Sequence, residues 1–305
     1  MGAGWVAGVT RAEAMAAGRA GPATARRLAA APGLPDALRA LAATPYRRGI
    51  DVEAGIAEAQ RAVAENLLWQ LRVLAGWQPR PGSAAVRLLA SPFEIANTRA
   101  RLRALAGAPQ PPPYRLGALS TVWPRLSRAG SPAELRSELA ASPWGDPGSE
   151  SPAAVIAAMR WSAAARTAAN VPSAARWAAG EAALLWAREA FVAGRRPTTR
   201  HAIRLLGTAA VRATAFGAFR AGLTAPAKWA LEGVETPGDL WRAEARWWST
   251  VERDGLRLLH EARFDTTPVV GAVAVLGTDA WRVRAGLECA AQGGRGLEAF
   301  DELLG

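Results

Sequence analysis

Residues 91–109, SPFEIANTRARLRALAGAP, predict an α-helix and set the fold class of the chain. One stripe recurs at spacings of three, four and three residues, as side chains on one face of an α-helix do. Its members are Ile95, Thr98, Leu102 and Leu105. Ser91-Pro92 is typical of a helix start, and Gly107-Ala108-Pro109 of a helix end. The same period continues along almost the whole chain without alternating strand-like runs, so an all-α protein is predicted.

The polar side chains of this helix fall on two flanks. At about 100° per residue, Glu94, Asn97 and Arg101 share one flank, while Arg99 and Arg103 share the other. Asn is a poor helix former, so we expect a specific contact at Asn97.

The chain is long enough to bury a substantial core and is strongly basic. It has 305 residues, 50% hydrophobic composition and a net charge of +11, and Lys228 is the only lysine among 37 basic residues. Residues 1–200 hold 25 basic and 13 acidic residues, whereas residues 201–305 hold 12 and 13. Such a charge distribution favours an acidic partner, an anionic membrane face or nucleic acid, or it is simply a solvated arginine-rich surface.

The sequence carries no recognisable catalytic, cofactor or metal motif. It lacks a phosphate-binding loop and a Gly-x-Ser-x-Gly motif, and its two histidines, His201 and His260, have no second strong ligand at helical spacing. Cys289 is the only cysteine, so no disulfide framework is expected and a reducing cytoplasmic setting fits. The N-terminus does not resemble a secretory signal, and the apolar run 269–277 is far shorter than the ~20 residues of a spanning helix. We expect a protein without catalytic activity, cofactor or metal.

Helical periodicity and Gly/Pro breaks divide the chain into three predicted subdomains, 1–110, 111–200 and 201–305. The predicted helices cover 5–19, 23–31, 35–43, 51–75, 92–106, 131–140, 152–169, 172–193, 198–220, 237–262, 268–292 and 296–304. The helix 237–262 carries a near-heptad stripe from Trp241 to Ala262, with Arg257 and Glu261 paired on its polar side. Most of the 13 tryptophans are expected to fill the core.

A stretch near the C-terminus is similar in sequence to the helix predicted at residues 91–109. It reads TDAWRVRAGLECAAQGG (278–294). The alignment pairs Glu94 with Asp279, Asn97 with Arg282, Thr98 with Val283, Arg99 with Arg284 and Leu102 with Leu287. A fainter third copy contains Glu181, and the glycine stops suggest three related helical subdomains. Arg284 is expected to form an attractive pair with Asp279.

Three stretches in this order resemble one family over nearly the whole chain. They are Leu38 to Tyr46 (LRALAATPY), Ser91 to Gly107, and Asp279 to Arg284 followed by Gly293-Gly294. They resemble the C subunit of archaeal and bacterial V-type (A-type) rotary ATPases, equivalent to the d subunit of the vacuolar ATPase. The chain departs from the family in its weak middle repeat and its richness in Trp and Arg.

The resemblance implies an all-α funnel of three pseudo-repeated helical bundles that catalyses nothing itself. It implies a subunit that couples the central stalk to the proteolipid rotor ring and supports ATP-driven proton or ion transport. The chain would be cytoplasmic, peripheral on the inner face of the plasma membrane through protein contacts, and without a nucleic-acid partner. Residues expected to bind partners or to tie bundles together are Glu94, Asn97, Arg99, Arg101, Asp279, Arg282 and Arg284.

Two other functions stay open. A basic all-helical adaptor would bind nucleic acid or another acidic partner, although no helix-turn-helix spacing and no basic tail are found. An enzyme on a helical scaffold would need a polar cavity that the sequence does not reveal.

Overall fold

The computed structural model describes residues 2–196 and 200–304, and the described part is helical without a β-strand, so the all-α prediction is confirmed. The α-helices of this part are α1 (Ala3–Ala17), α2 (Pro22–Ala29), α3 (Leu34–Ala42), α4 (Ile56–Gly76), α5 (Arg80–Leu89), α6 (Ser91–Leu105), α7 (Trp123–Leu126), α8 (Pro132–Ala140), α9 (Pro152–Asn170), α10 (Ala175–Ala187), α11 (Arg200–Leu206), α12 (Thr208–Arg212), α13 (Phe216–Ala221), α14 (Ala225–Lys228), α15 (Leu240–His260), α16 (Thr266–Ala291) and α17 (Leu297–Leu304). A π-helical turn, Arg188–Val192, follows α10.

The single helix predicted for 198–220 is wrong. The chain instead forms α11, α12 and α13, and residues 197–199 lie outside the described residues. Gly207 separates α11 from α12 with a φ of +90°, a conformation that ends a helix and that favours glycine. The periodicity of this stretch continues through a break that only the backbone geometry reveals.

Helices α5, α7 and α14 were not predicted, and the apolar stripe of α15 differs from the prediction. Helix α5 was missed because Arg80-Pro81-Gly82 has the composition of a turn, yet a proline in the first turn of a helix leaves no extra donor unpaired. Helix α15 is present, but Trp241 of its expected apolar stripe is 44% exposed. Arg257 pairs with Asp254, three residues earlier, and not with Glu261.

Four of the 13 tryptophans are buried in the core, six are half-buried and three are exposed, so the prediction that most fill the core is confirmed only in part. An arginine lies over the ring of each exposed tryptophan: Arg48 over Trp69, Arg11 over Trp77 and Arg242 over Trp241. Cation–π contact explains how these rings are tolerated at the surface.

The described chain divides into two compact units. The terminal unit is Met1–Ser83 with Trp248–Gly305, and the central unit is Ala84–Trp247. The terminal unit has 16 basic and 15 acidic residues, whereas the central unit has 21 and 11. The three predicted subdomains stay a prediction.

Helix α16 is the centre of the terminal unit and packs against α1, α2, α3 and α4. Its buried face joins a core that includes Leu28, Leu38, Leu41, Val63, Val283 and Leu287. Gly286 allows α2 to approach closely, since a Cβ atom there would lie 2.6 Å from the Ala25 carbonyl oxygen. Asp265 caps the start of α16 by accepting the Thr267 N–H at 2.7 Å.

The central unit has two apolar clusters. In one, α10 packs against α9, α11 and α14, and the rings of Trp161 and Trp186 meet edge to face at 6.0 Å. In the other, α6 packs against α7 and α9, and Leu102, Leu126 and Leu135 are fully buried. The second cluster joins α6 to α9, which positions the residues described next.

Candidate partner-binding site

Glu94 on α6 binds the backbone of a later segment of the central unit. The side chain is 1% exposed, and its two oxygens accept the N–H groups of Thr121 at 2.6 Å and Val122 at 2.7 Å. These donors stand just before the short helix α7, where a carboxylate also meets the positive end of the peptide dipoles. We call this arrangement the central clasp.

The rest of the same flank binds the same segment. Asn97, also 1% exposed, donates to the Tyr114 carbonyl at 2.9 Å and accepts the Tyr114 N–H at 2.7 Å. Arg101 donates from Nε and Nη2 to the Ala129 carbonyl at 3.1 and 2.6 Å. The polar residues that looked anomalous in a helix therefore satisfy backbone groups between residues 114 and 129.

Asp279 on α16 forms an equivalent arrangement in the terminal unit. Its carboxylate accepts the N–H groups of Ala20 at 3.0 Å and Gly21 at 2.7 Å, just before α2, and the Tyr46 hydroxyl at 3.0 Å. Burial raises the pKa of Asp279, although the donated hydrogen bonds and Arg19 act in the opposite direction. Burial first, and Asp279 second, raise the pKa of Tyr46 well above its ordinary value. We call this arrangement the terminal clasp.

The segment after each clasp repeats as well. The stretch LAATPY (41–46) begins in the last turn of α3, and LAASPW (139–144) begins in the last turn of α8. Thr44 Oγ1 donates to the Leu41 carbonyl at 2.6 Å and accepts the Tyr46 N–H at 3.2 Å. Ser142 Oγ donates to the Leu139 carbonyl at 2.7 Å and accepts the Trp144 N–H at 3.1 Å.

This second half of the repeat was visible in the sequence and was missed. Each turn ends on a buried aromatic ring, since Tyr46 is 1% exposed and Trp144 is 4% exposed. The signal was the shared pattern Leu-Ala-Ala-Thr/Ser-Pro-Tyr/Trp. The same series of features therefore occurs twice in the chain. It consists of an acid that accepts two successive N–H groups, the helices that follow those groups, a turn closed by a hydroxyl group and a buried aromatic ring.

The remaining predicted residues of α16 have other partners. Arg282 forms a buried ion pair with Glu252 of α15, with Nη1 and Oε1 2.5 Å apart. Arg284 is exposed and its Nη2 lies 3.5 Å from Gln60 Oε1, so the expected pair between Arg284 and Asp279 does not form. Residues five apart on an α-helix point about 140° apart, which explains the difference.

Arginine dominates the exposed flank of α6. The pKa of Arg99 is lowered first by partial burial and then by the like charges of Arg160 and Arg103. Arg99 and Arg103 are exposed, and Arg160 lies on the adjacent helix α9. We call these three residues the arginine surface. Glu181, from the faint third copy, is an exposed residue of α10.

The two kinds of site differ in what they offer a partner. The clasps are occupied by the chain's own backbone, while the arginine surface is positively charged and two of its three residues, Arg99 and Arg103, are exposed. Among the described residues, no three His, Cys, Asp or Glu side chains are placed to hold a metal ion. No helix in the described part of the chain combines the length and apolar composition that crossing a membrane requires.

No protein-family model matches the chain, and no curated protein matches it significantly.

Proposed function

We propose that the chain is a non-catalytic component of a V-type or A-type rotary ATPase, similar to the C subunit of those enzymes. In this role it couples the central stalk to the proteolipid rotor ring and supports ATP-driven proton or ion transport. It acts at the cytoplasmic face of the plasma membrane, held there by protein contacts, and its bundles form a funnel. The chain transmits torque and supplies no active site.

The observation that carries this proposal is the repeated clasp. Glu94 and Asp279, which align in sequence, each bind two successive N–H groups before a short helix. The LAATPY and LAASPW turns repeat as well. An all-α chain built from repeated bundles is what the family resemblance implies.

The charge of the central unit supports a contact with an acidic stalk. This unit carries 21 basic and 11 acidic residues, and the arginine surface concentrates like charges on α6 and α9. Guanidinium groups bind carboxylates with two parallel hydrogen bonds, so exposed arginines suit an acidic foot of a stalk protein. Removing these charges should weaken assembly without unfolding the protein.

The test is to purify the tagged chain from its native membranes and identify what accompanies it. We expect rotor-ring and stalk proteins with the wild-type chain, and less stalk protein with an Arg99→Glu/Arg103→Glu variant. Arg204→Glu/Arg212→Glu is a matched control, because it makes the same charge change at exposed positions of the same unit. A wild-type chain that is wholly soluble at low salt, without either kind of partner, overturns the proposal.

A basic adaptor for nucleic acid is the second candidate, and the excess of ten positive charges in the central unit favours it. Both candidates predict release by salt, because the Debye length falls from about 10 Å at 0.1 M to about 3 Å at 1 M. Nuclease treatment separates them. Retention that disappears with nuclease supports the adaptor, whereas retention that survives nuclease and copurifies with stalk proteins supports the rotary function.

A further inference from the structure

An open cleft of about 480 Å³ lies in the central unit, away from both clasps in sequence. Its lining includes Arg220, Lys228, Trp229, Leu231, Glu232 and Gly233. The lining combines two cationic side chains with an apolar wall. Lys228 is the only lysine of the chain, and no motif of the sequence accounts for it.

The cations of the cleft outnumber its acids. Arg220 is half-buried, and its Nε atom has no hydrogen-bond partner. Lys228 is exposed, and Glu232 is the one acidic residue of the described lining. A further cation stands beside the cleft, since Arg246 Nη1 donates to the Glu232 carbonyl at 2.7 Å. The local charge favours an anion.

The apolar wall is rigidly placed. Trp229 Nε1 donates to the Pro226 carbonyl at 2.9 Å, and the Arg176 guanidinium lies 4.6 Å from the ring centroid. The ring also lies close to α10, because a Cβ atom at Gly180 would be 2.7 Å from Trp229 Cζ2. The half-buried indole of Trp229 provides contact area for an apolar group at little cost in conformational entropy.

We propose that this cleft binds a small organic anion. The oxyanion, a phosphate or a carboxylate, pairs with Lys228 and Arg220, while the apolar part of the ligand packs against Trp229. Guanidinium and ammonium groups form charge-assisted hydrogen bonds with phosphate and carboxylate oxygens. This inference is independent of the proposed rotary function, and either can fail alone.

The single lysine makes the test specific. Reductive dimethylation with ¹³C-formaldehyde preserves the charge of Lys228 and gives one side-chain lysine NMR signal, distinct from that of the terminal amine. The labelled protein is titrated with phenyl phosphate, benzoate, inorganic phosphate and phenol. We expect saturable shifts with the first two, weaker binding of inorganic phosphate, and none with neutral phenol. Absence of a saturable shift up to about 10 mM phenyl phosphate or benzoate overturns the proposal.

Variants then locate the ligand. Arg220→Gln should weaken phenyl phosphate binding about tenfold or more, because a charged hydrogen bond is lost. Arg212→Gln, at an exposed position outside the lining, is the matched control and should bind as the wild type does. Glu232→Gln removes the lining acid from an exposed position and should strengthen binding. Equal affinity in wild type, Arg220→Gln and Glu232→Gln overturns the proposal, and thermal unfolding checks that each variant is folded.

Discussion

The central and terminal clasps use the same chemistry to close chain segments of very different length. Glu94 binds N–H groups 27 and 28 residues later in the chain, whereas Asp279 binds N–H groups 259 and 258 residues earlier. The terminal clasp also has a third donor, the Tyr46 hydroxyl. One local arrangement therefore closes a short loop in one unit and joins the two ends of the chain in the other.

Aligned positions after each acid solve the same packing problem in different ways. Seven residues after Glu94, Arg101 donates a hydrogen bond to the Ala129 carbonyl. Seven residues after Asp279, Gly286 has no side chain, so the Ala25 carbonyl can approach α16 directly. Leu102 and Leu287 occupy the next position and are both fully buried. The comparison shows that the acid and the apolar stripe are kept, while the polar flank adapts to whichever segment lies beside it.

The largest expected effect comes from removing the acid of the terminal clasp. Asp279→Ala leaves three donors unpaired, and we expect a loss of about 3–5 kcal/mol in the free energy of unfolding. Glu94→Ala leaves two donors unpaired and should lose less. Urea unfolding measures both, and Glu13→Ala, at an exposed position of α1, should change stability by less than about 0.5 kcal/mol. A larger loss for Glu94→Ala would contradict the importance of the third donor.

Gly286→Ala tests the close approach that distinguishes the terminal clasp. The added Cβ atom would lie 2.6 Å from the Ala25 carbonyl oxygen and must separate α16 from α2. We expect a loss of about 2–3 kcal/mol by chemical denaturation. Gly277→Ala in the same helix is the matched control, because its Cβ would meet only Trp248 Cζ3 at 3.9 Å, and it should be neutral or stabilising by up to about 1 kcal/mol.

Asn97 and Arg284 test the polar flanks of the two helices. The sequence predicts that Asn97→Leu leaves the protein soluble and that Arg284→Glu disrupts assembly. In the structure Asn97 is buried with two backbone hydrogen bonds and Arg284 is exposed, so the free energy of unfolding should depend more on Asn97. We expect Asn97→Leu to lose about 2 kcal/mol and Arg284→Glu less than about 0.5 kcal/mol in thermal unfolding.

The smallest expected effect is a pH dependence from Asp279. Its folded-state pKa lies above the ordinary value of 3.8 because burial outweighs the donated hydrogen bonds. Between the two pKa values the folded state keeps a proton that the unfolded state has lost, so rising pH lowers stability through that window. The difference in free energy of unfolding between wild type and Asp279→Asn, measured from about pH 3 to pH 7, should follow this direction. The opposite slope would mean that the donated hydrogen bonds outweigh burial.

Helical periodicity was enough to predict the fold class and the alignment of Glu94 with Asp279, because both depend on spacing along one helix. It could not predict the partners of those acids, since the N–H groups of Thr121 and Gly21 belong to segments that carry no distinguishing side chain. The same limit applies to Gly207, whose positive φ breaks a stretch that remains periodic in sequence. The LAATPY and LAASPW repeat, in contrast, can be found from the sequence alone by aligning the chain with itself.

The separation of Gly21 and Asp279 along the chain determines when the terminal clasp can form during protein synthesis. A ribosome adds about 5–20 residues per second, so the 258 intervening residues take on the order of 10–50 s to emerge. During that interval the N-terminal segment has no access to the carboxylate that later binds its backbone. Glu94, in contrast, meets Thr121 and Val122 within seconds of being made. The central clasp can therefore form on the nascent chain, whereas the terminal clasp cannot form until residue 279 has been made.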